Sequence, residues 1–186
     1  MRLGQTTDDA AGECFDKCAA VLGLPYPGGP AIEKAARGGD PSALDLPRPL
    51  RNDPSDDFSF SGLKTAVLYR IKGQGKRRRD PDAAPYDVAD VAAAVQEAIA
   101  DVLTFKAVRA ATRRGHRRLV LGGGVAANTR LRELATARAR EAGLEIFVPP
   151  RALCTDNAAM VAVRGAELLA EGVRDGLDLD AMPYAE

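Results

Sequence analysis

The densest chemical signal in the 186 residues is the run Leu119-Val120-Leu121-Gly122-Gly123-Gly124-Val125-Ala126-Ala127-Asn128. An apolar run that enters glycines and then a helix start is a cradle for phosphate. Glycine lets the backbone approach an anion, and the unpaired N–H groups of the first helical turn face it. Gly122, Gly124 and Ala127 also match the dinucleotide spacing G-x-G-x-x-G/A. A dinucleotide site needs an acid at the end of the next strand to hold the ribose, and that strand ends Phe147-Val148-Pro149 without one. Mononucleotide binding is the reading these residues favour, with a plain strand-to-helix turn and a dinucleotide site as alternatives. A second signal is Cys154-Thr155-Asp156-Asn157. Ligands of open α/β sheets bind beyond the carboxyl ends of the strands, so Asp156 is expected near the glycine turn. Its carboxylate suits a metal or a bound nucleotide, or it caps the helix that follows. A third is Asp16, off the buried stripe of the first helix and followed by Gly28-Gly29, a turn whose backbone can approach the same ligand. A solvated helix face is its ordinary explanation.

Other reactive residues point to less. The single histidine, His116, lies among Arg114, Arg117 and Arg118 and reads as surface. One histidine also excludes any site that needs two from this chain. Cys14 and Cys18 stand one helical turn apart on an apolar stripe, the usual place of small buried hydrophobes. With Cys154 and His116 they match a structural zinc set in number, which is the weaker reading. No Ser-His-Asp or Cys-His arrangement has supporting context, so no catalytic residue is assigned.

The elements that must position these residues fall into two stretches. In the first, Ala11, Cys14, Phe15, Cys18, Ala19 and Leu22 keep a helical period, with Asp8 and Asp9 suited to the helix N-terminus. Pro25 to Pro30 reads as a turn, Ala31 to Arg37 as a short helix, and Leu44 to Asp57 as irregular or extended chain among prolines. Phe58 to Gly62 reads as a short strand or turn. A helix follows over Ser61 to Arg70, with Leu63, Val67 and Arg70 on one side. Lys72 to Pro85, with the run Lys76-Arg77-Arg78-Arg79, reads as a solvated loop, or as a contact for nucleic-acid phosphates. In the second stretch, a helix capped by Asp87 runs toward Arg114. Strands at 118–121 and 144–148 flank a helix capped by Asn128, and a last helix starts at Asp156 or Asn157. Short links between alternating helices and strands imply parallel strands with right-handed crossovers. Two strands cannot make a sheet that buries three helices, so partner strands are expected from earlier in the chain, another chain or absent sequence.

Composition narrows the classes. Lys and Arg together number 26, as do Asp and Glu, so the net charge is zero and a strongly basic nucleic-acid module is disfavoured outside local patches. At 46% hydrophobic residues the chain is ordinary globular material. Three cysteines form no disulfide framework and read as reduced cytosolic thiols. No apolar stretch approaches the roughly 20 residues of a membrane helix.

Five motifs, in order, carry a resemblance. They are Gln5 to Lys17, Tyr26-Pro27-Gly28-Gly29-Pro30, Asp57 to Ala66, Gly122 to Asn128, and Cys154-Thr155-Asp156-Asn157-Ala158-Ala159-Met160. Together they resemble the catalytic subunit of the tRNA adenosine threonylcarbamoyltransferases, once called glycoproteases, over roughly Leu3 to Gly172. The resemblance implies an α/β fold of the actin-like ATPase (ASKHA, RNase H-like) class. The chain would be its truncated C-terminal domain with a mostly helical insertion. On that basis residues 1–82 hold the signature helix and insertion region, 83–174 the nucleotide-binding core and 175–186 a tail. The implied reaction moves threonylcarbamoyl from threonylcarbamoyl-AMP to the exocyclic amine of the adenosine beside the anticodon of ANN-decoding tRNAs. The resemblance also implies substrate binding by Asp16, Gly29 and Asn128, and a metal, iron or zinc, with Asp156 as one ligand. Implied partners are tRNA, accessory subunits of the TsaB and TsaE type, and an N-terminal half, all in the cytoplasm. That half would carry the remaining metal ligands, two histidines in an H-x-x-x-H helix, and a Ser-Gly-Gly-His-Thr loop. The expectation is that this chain alone is inactive and binds metal poorly.

Overall fold

A computed structural model describes residues 1–74, 77–78 and 86–180. Its first helix, α1 (Ala11–Val21), buries Cys14, Phe15, Cys18 and Ala19, the stripe that the spacing predicts. The two acids ahead of it do other work. The position preceding α1 is Ala10, whose side chain caps nothing. Asp8 instead accepts from Phe60 N at 2.7 Å, Ser61 N at 3.1 Å and Ser61 Oγ at 2.9 Å, closing the start of α3 (Ser61–Lys72), a helix more than fifty residues further on. Burial pushes the Asp8 carboxyl upward, but the bonds from Ser59, Phe60 and Ser61 overcome it and hold the group well below the usual carboxylate range. In α3 the buried stripe is Leu63, Val67 and Ile71; Arg70 is exposed. Between them lies α2 (Gly28–Ala35), which starts three residues before the expected Ala31. The reason is local: first-turn N–H groups need no helical partner, so Gly28, Gly29 and Pro30 are all tolerated there.

The organising element is α4 (Val88–Arg113), capped as expected by Asp87, which accepts from Ala89 N. Its Val91, Ala92, Val95, Ala98, Ile99 and Val102 join α1, α2 and α3 in the main core. Small alanine side chains let these helices approach closely. Two charged groups of α4 are buried. Asp101 receives Arg48 Nε at 2.9 Å, Arg51 Nε at 2.7 Å and the Arg138 guanidinium. Burial pushes its carboxyl upward, and the bonds from Arg51 and Arg138 overcome this and lower it. Lys106 is 1% exposed and donates to Leu50 O at 2.8 Å and to Asp57 O. Burial, with Arg109 adjacent, pushes its ammonium below its ordinary value. Arg109 adds a bond to Asp53 O at 2.7 Å. The proline-rich stretch before Phe58 thus lacks regular structure, as expected, but is tied to α4 by side-chain donors to its carbonyls.

Strands β3 (Arg118–Val120) and β4 (Glu145–Phe147) pair in parallel, Leu119 opposite Ile146, flanking α5 (Thr129–Glu141). One face of this small sheet packs Ile146 against Ala111, Ala139 and Leu144. On the other, Val120 is 71% exposed and Phe147 lies beside it. The last helix, α6 (Ala158–Ala170), is almost wholly apolar yet buries none of its residues; Val161 is 74% exposed. A helix apolar all round is ordinarily an interior element. Gly73–Gln74 (β1) and Arg77–Arg78 (β2) form a two-residue antiparallel ladder where a loop was expected. Lys76 and Arg79 of the basic run lie outside the described residues, as does 181–186 of the tail. Among the described residues no helix is long and apolar enough to cross a membrane.

Replacing Asp101 by Asn leaves three guanidinium groups around a neutral amide. The expected loss is about 2–3 kcal/mol, discounted from a fully buried pair because the arginines are partly exposed. Urea denaturation of wild type and Asp101→Asn measures it.

Candidate nucleotide-binding site

Asp16, in the middle of α1, accepts a 2.7 Å hydrogen bond from Gly28 N, the first residue of α2. This bond seats one helix start against another helix. Only glycine fits at that point: a Cβ on Gly28 would lie 2.5 Å from Asp16 Cα and 2.8 Å from Phe15 O. A Cβ on the neighbouring Gly29 would meet nothing within 4 Å. Facing this corner is the turn after β3. Gly123 adopts φ +82°, and a 3-10 turn over Gly124–Ala127 leads to Asn128. Asn128 is 6% exposed, accepts from Leu131 N at 3.0 Å to cap α5, and donates to Gln96 Oε1 at 2.8 Å. Among the described residues, one amide hydrogen and one lone pair of the Asn128 side chain take no partner.

Asp16, Gly29 and Asn128, far apart in the chain, border one cleft of about 400 Å³. Phe15, Pro27, Pro30 and Val125 make its walls largely apolar, with Thr155 on the far rim. An apolar cleft of this size with a few converging polar groups suits a small ligand with a flat ring and a polar end. The glycine run takes part less directly than its spacing implies. Gly124 borders the cleft, whereas Gly122 and Gly123 do not, and the 3-10 turn that starts at Gly124 stands between those two and α5.

Glu33 also borders the cleft, and no residue motif singled it out. It lies one turn beyond Gly29 on α2, a relation hidden while Gly28 to Pro30 read as a turn. Its carboxylate accepts from Thr129 Oγ1 and lies 3.6 Å from Arg151.

Asp156 is exposed and not on the cleft wall; its neighbour Thr155 is. The capping role goes to Asn157, which accepts from Met160 N at 3.1 Å. That leaves Asp156 with no hydrogen bond or ion pair among the described residues. It can offer one carboxylate to a metal. No group of three His, Cys, Asp or Glu side chains converges among the described residues, so those present do not make a coordination sphere. His116 is exposed, and the three cysteines are free and buried. The hydrogen bond that the Cys14 thiol donates to Cys18, together with burial, pushes that thiol far above its ordinary value, which suits inert packing groups.

The cleft residues coincide with a match to known proteins. A profile of the family described as tRNA N6-adenosine threonylcarbamoyltransferase matches residues 1–163, from the N-terminus into α6. The chain belongs to that family. A tRNA N6-adenosine threonylcarbamoyltransferase of Anaeromyxobacter dehalogenans strain 2CP-1 is 55% identical over 182 residues, covering 97% of this chain and 53% of the relative. Proteins of the same name from Geobacter sp. strain M21 and Thermotoga neapolitana are 51% and 50% identical over 181 residues, and 51% and 53% of their lengths are covered. The chain thus spans about half the length of the threonylcarbamoyltransferases it matches, their C-terminal part.

The two glycines should separate fold from cleft. Gly28→Ala forces backbone apart and should cost about 1–3 kcal/mol. Gly29→Ala meets nothing and should leave the melting temperature unchanged or slightly raised. Thermal denaturation followed by circular dichroism distinguishes them.

Proposed function

We propose that this chain is the adenylate-holding, C-terminal half of an actin-like (ASKHA) transferase. Its reaction moves threonylcarbamoyl from threonylcarbamoyl-AMP to the exocyclic amine of the adenosine beside the anticodon in ANN-decoding tRNAs. The observation that carries this reading is the convergence of Asp16, Gly29 and Asn128 on one cleft, within the stretch matched to the family. In this reading the apolar walls take the adenine, and Asp16 and the Asn128 amide orient the ribose and phosphate. With the adenylate fixed, the carbamoyl carbon is presented to the tRNA amine. Nitrogen bonds to that carbon and gives up one proton to solvent, the bond from carbon to the phosphate oxygen breaks, and AMP leaves with that electron pair.

Asp156 would supply one carboxylate to a divalent metal, iron or zinc, whose other ligands lie outside the described residues. No step is routed through that ion, and no residue is assigned as general base. The open face of β3 and β4 and the bare apolar surface of α6 are the places where the other half of the relatives' length would pack. The whole would act in the cytoplasm with accessory subunits. A non-catalytic nucleotide-binding half-domain is the second reading, favoured by the incomplete donor set around Asp156.

Calorimetric titration with AMP tests the cleft. Asp16→Ala and Asn128→Ala should each weaken AMP binding at least about tenfold, the cost of losing one or two hydrogen bonds to a charged ligand. Transfer to tRNA should be absent with the chain alone and appear when the N-terminal half of the Anaeromyxobacter relative is added. AMP affinity unchanged by both substitutions would contradict the reading. Binding without transfer, even with the added half, would establish the second one.

A further inference from the structure

The geometry points to Arg132 as a positioning residue that sets the separation of the two loops on the far wall of the cleft. Arg132 lies in the first turn of α5, four residues after Asn128. Its Nε donates to Ala126 O at 2.6 Å, in the turn that carries Gly124 and Val125. Its Nη2 donates to Pro149 O at 2.7 Å and to Cys154 Sγ at 3.0 Å, in the loop that carries Thr155. One planar group therefore spans both loops, and Thr155 Cγ2 stands 4.0 Å from where a Cβ on Gly124 would be. Cys154 is 2% exposed and its thiol donates onward to Pro150 O at 3.6 Å, so the loop is folded around this contact.

Two features set Arg132 apart from an ordinary helix arginine. No carboxylate pairs with it among the described residues; its guanidinium is directed entirely at neutral acceptors on the loops. Nor does it seat α5, which packs through Leu131, Ala135 and Ala139. Its removal should free the loop at 149–157, where, among the described residues, Arg151 is the other side chain that reaches across, to Thr129 and Glu33. A lysine has a point charge in place of the rigid fork and cannot bridge both loops. The consequence for ligand binding rests on the nucleotide reading of the cleft.

The test uses the 186-residue chain as wild type, Arg132→Met and Arg132→Lys. Maleimide labelling is read cysteine by cysteine by mass spectrometry, and AMP binding by calorimetry. Cys154 should label at least about tenfold faster in Arg132→Met, while Cys14 and Cys18, in the main core, keep their protection and so report an intact fold. AMP affinity should fall by a similar factor, and Arg132→Lys should restore neither property. Cys154 labelling unchanged in Arg132→Met overturns the proposal, as does full rescue by lysine or faster labelling with unaltered AMP affinity. If wild type fails to bind AMP, the nucleotide reading fails, and the labelling result still decides whether Arg132 holds the loops.

Discussion

The carboxylate of Asp101 is the constraint around which the chain is arranged. A buried charge must be compensated, and Asp101 draws its compensation from two distant segments: Arg48 and Arg51 before the third motif, Asp57 to Ala66, and Arg138 on α5. Because Arg138 is anchored there, the helix that begins at Asn128 takes one orientation against α4. Because Arg48 and Arg51 are anchored, the proline-rich segment lies along α4, where Lys106 and Arg109 bind its carbonyls. That segment delivers Asp57 and Phe58 to the residues ahead of α1, where Gln5 N donates to Asp57 Oδ1 at 2.9 Å and Thr7 N to Phe58 O at 2.8 Å.

The cleft follows from the same arrangement. One side depends on a single short bond, Gly28 N to Asp16, and on the absence of a side chain at Gly28. The other depends on Asn128, whose amide is engaged by both α4 and α5. Asp16 and Asn128 thus each hold helices together and border the cleft. Their substitution effects on binding have to be compared with Gly29→Ala, which alters the cleft without removing a bond. The polar contacts are few, as expected of a site whose apolar walls take a ring and whose polar groups set orientation.

Much of this was legible in the residues. The stripe of α1, the run of α4, the capping by Asp87 and Asn128, and the parallel pair β3 and β4 all follow from period, cap chemistry and short links. What stayed hidden is tertiary. Asp8 has the right chemistry for a cap, but its helix is α3, and no local pattern connects residues so far apart. Asp101 and Lys106 draw no reading from the sequence, since periodicity does not say that arginines and carbonyls from elsewhere will bury them. Gly28-Gly29-Pro30 resembles a turn because those residues are poor in helix interiors, and the exemption of the first turn concealed both the start of α2 and Glu33. Asp156 and Asn157 both have the chemistry of a cap, and only the backbone gives that cap to Asn157.

The surfaces left open, α6 and the outer face of β3 and β4, contrast with the closed core around α4, and the cleft borders on the closed part. The central claim is that residues from α1, α2 and the turn before α5 form one mononucleotide site within this chain. Amide chemical-shift mapping of the isotopically labelled protein during AMP titration tests it most directly. The account predicts that the largest shifts fall together on Gly28, Gly29 and Gly124 to Asn128, saturating with one common dissociation constant. Shifts confined to the His116 end of β3, or absent from the Gly28 to Gly29 segment while the glycine turn responds, would contradict it.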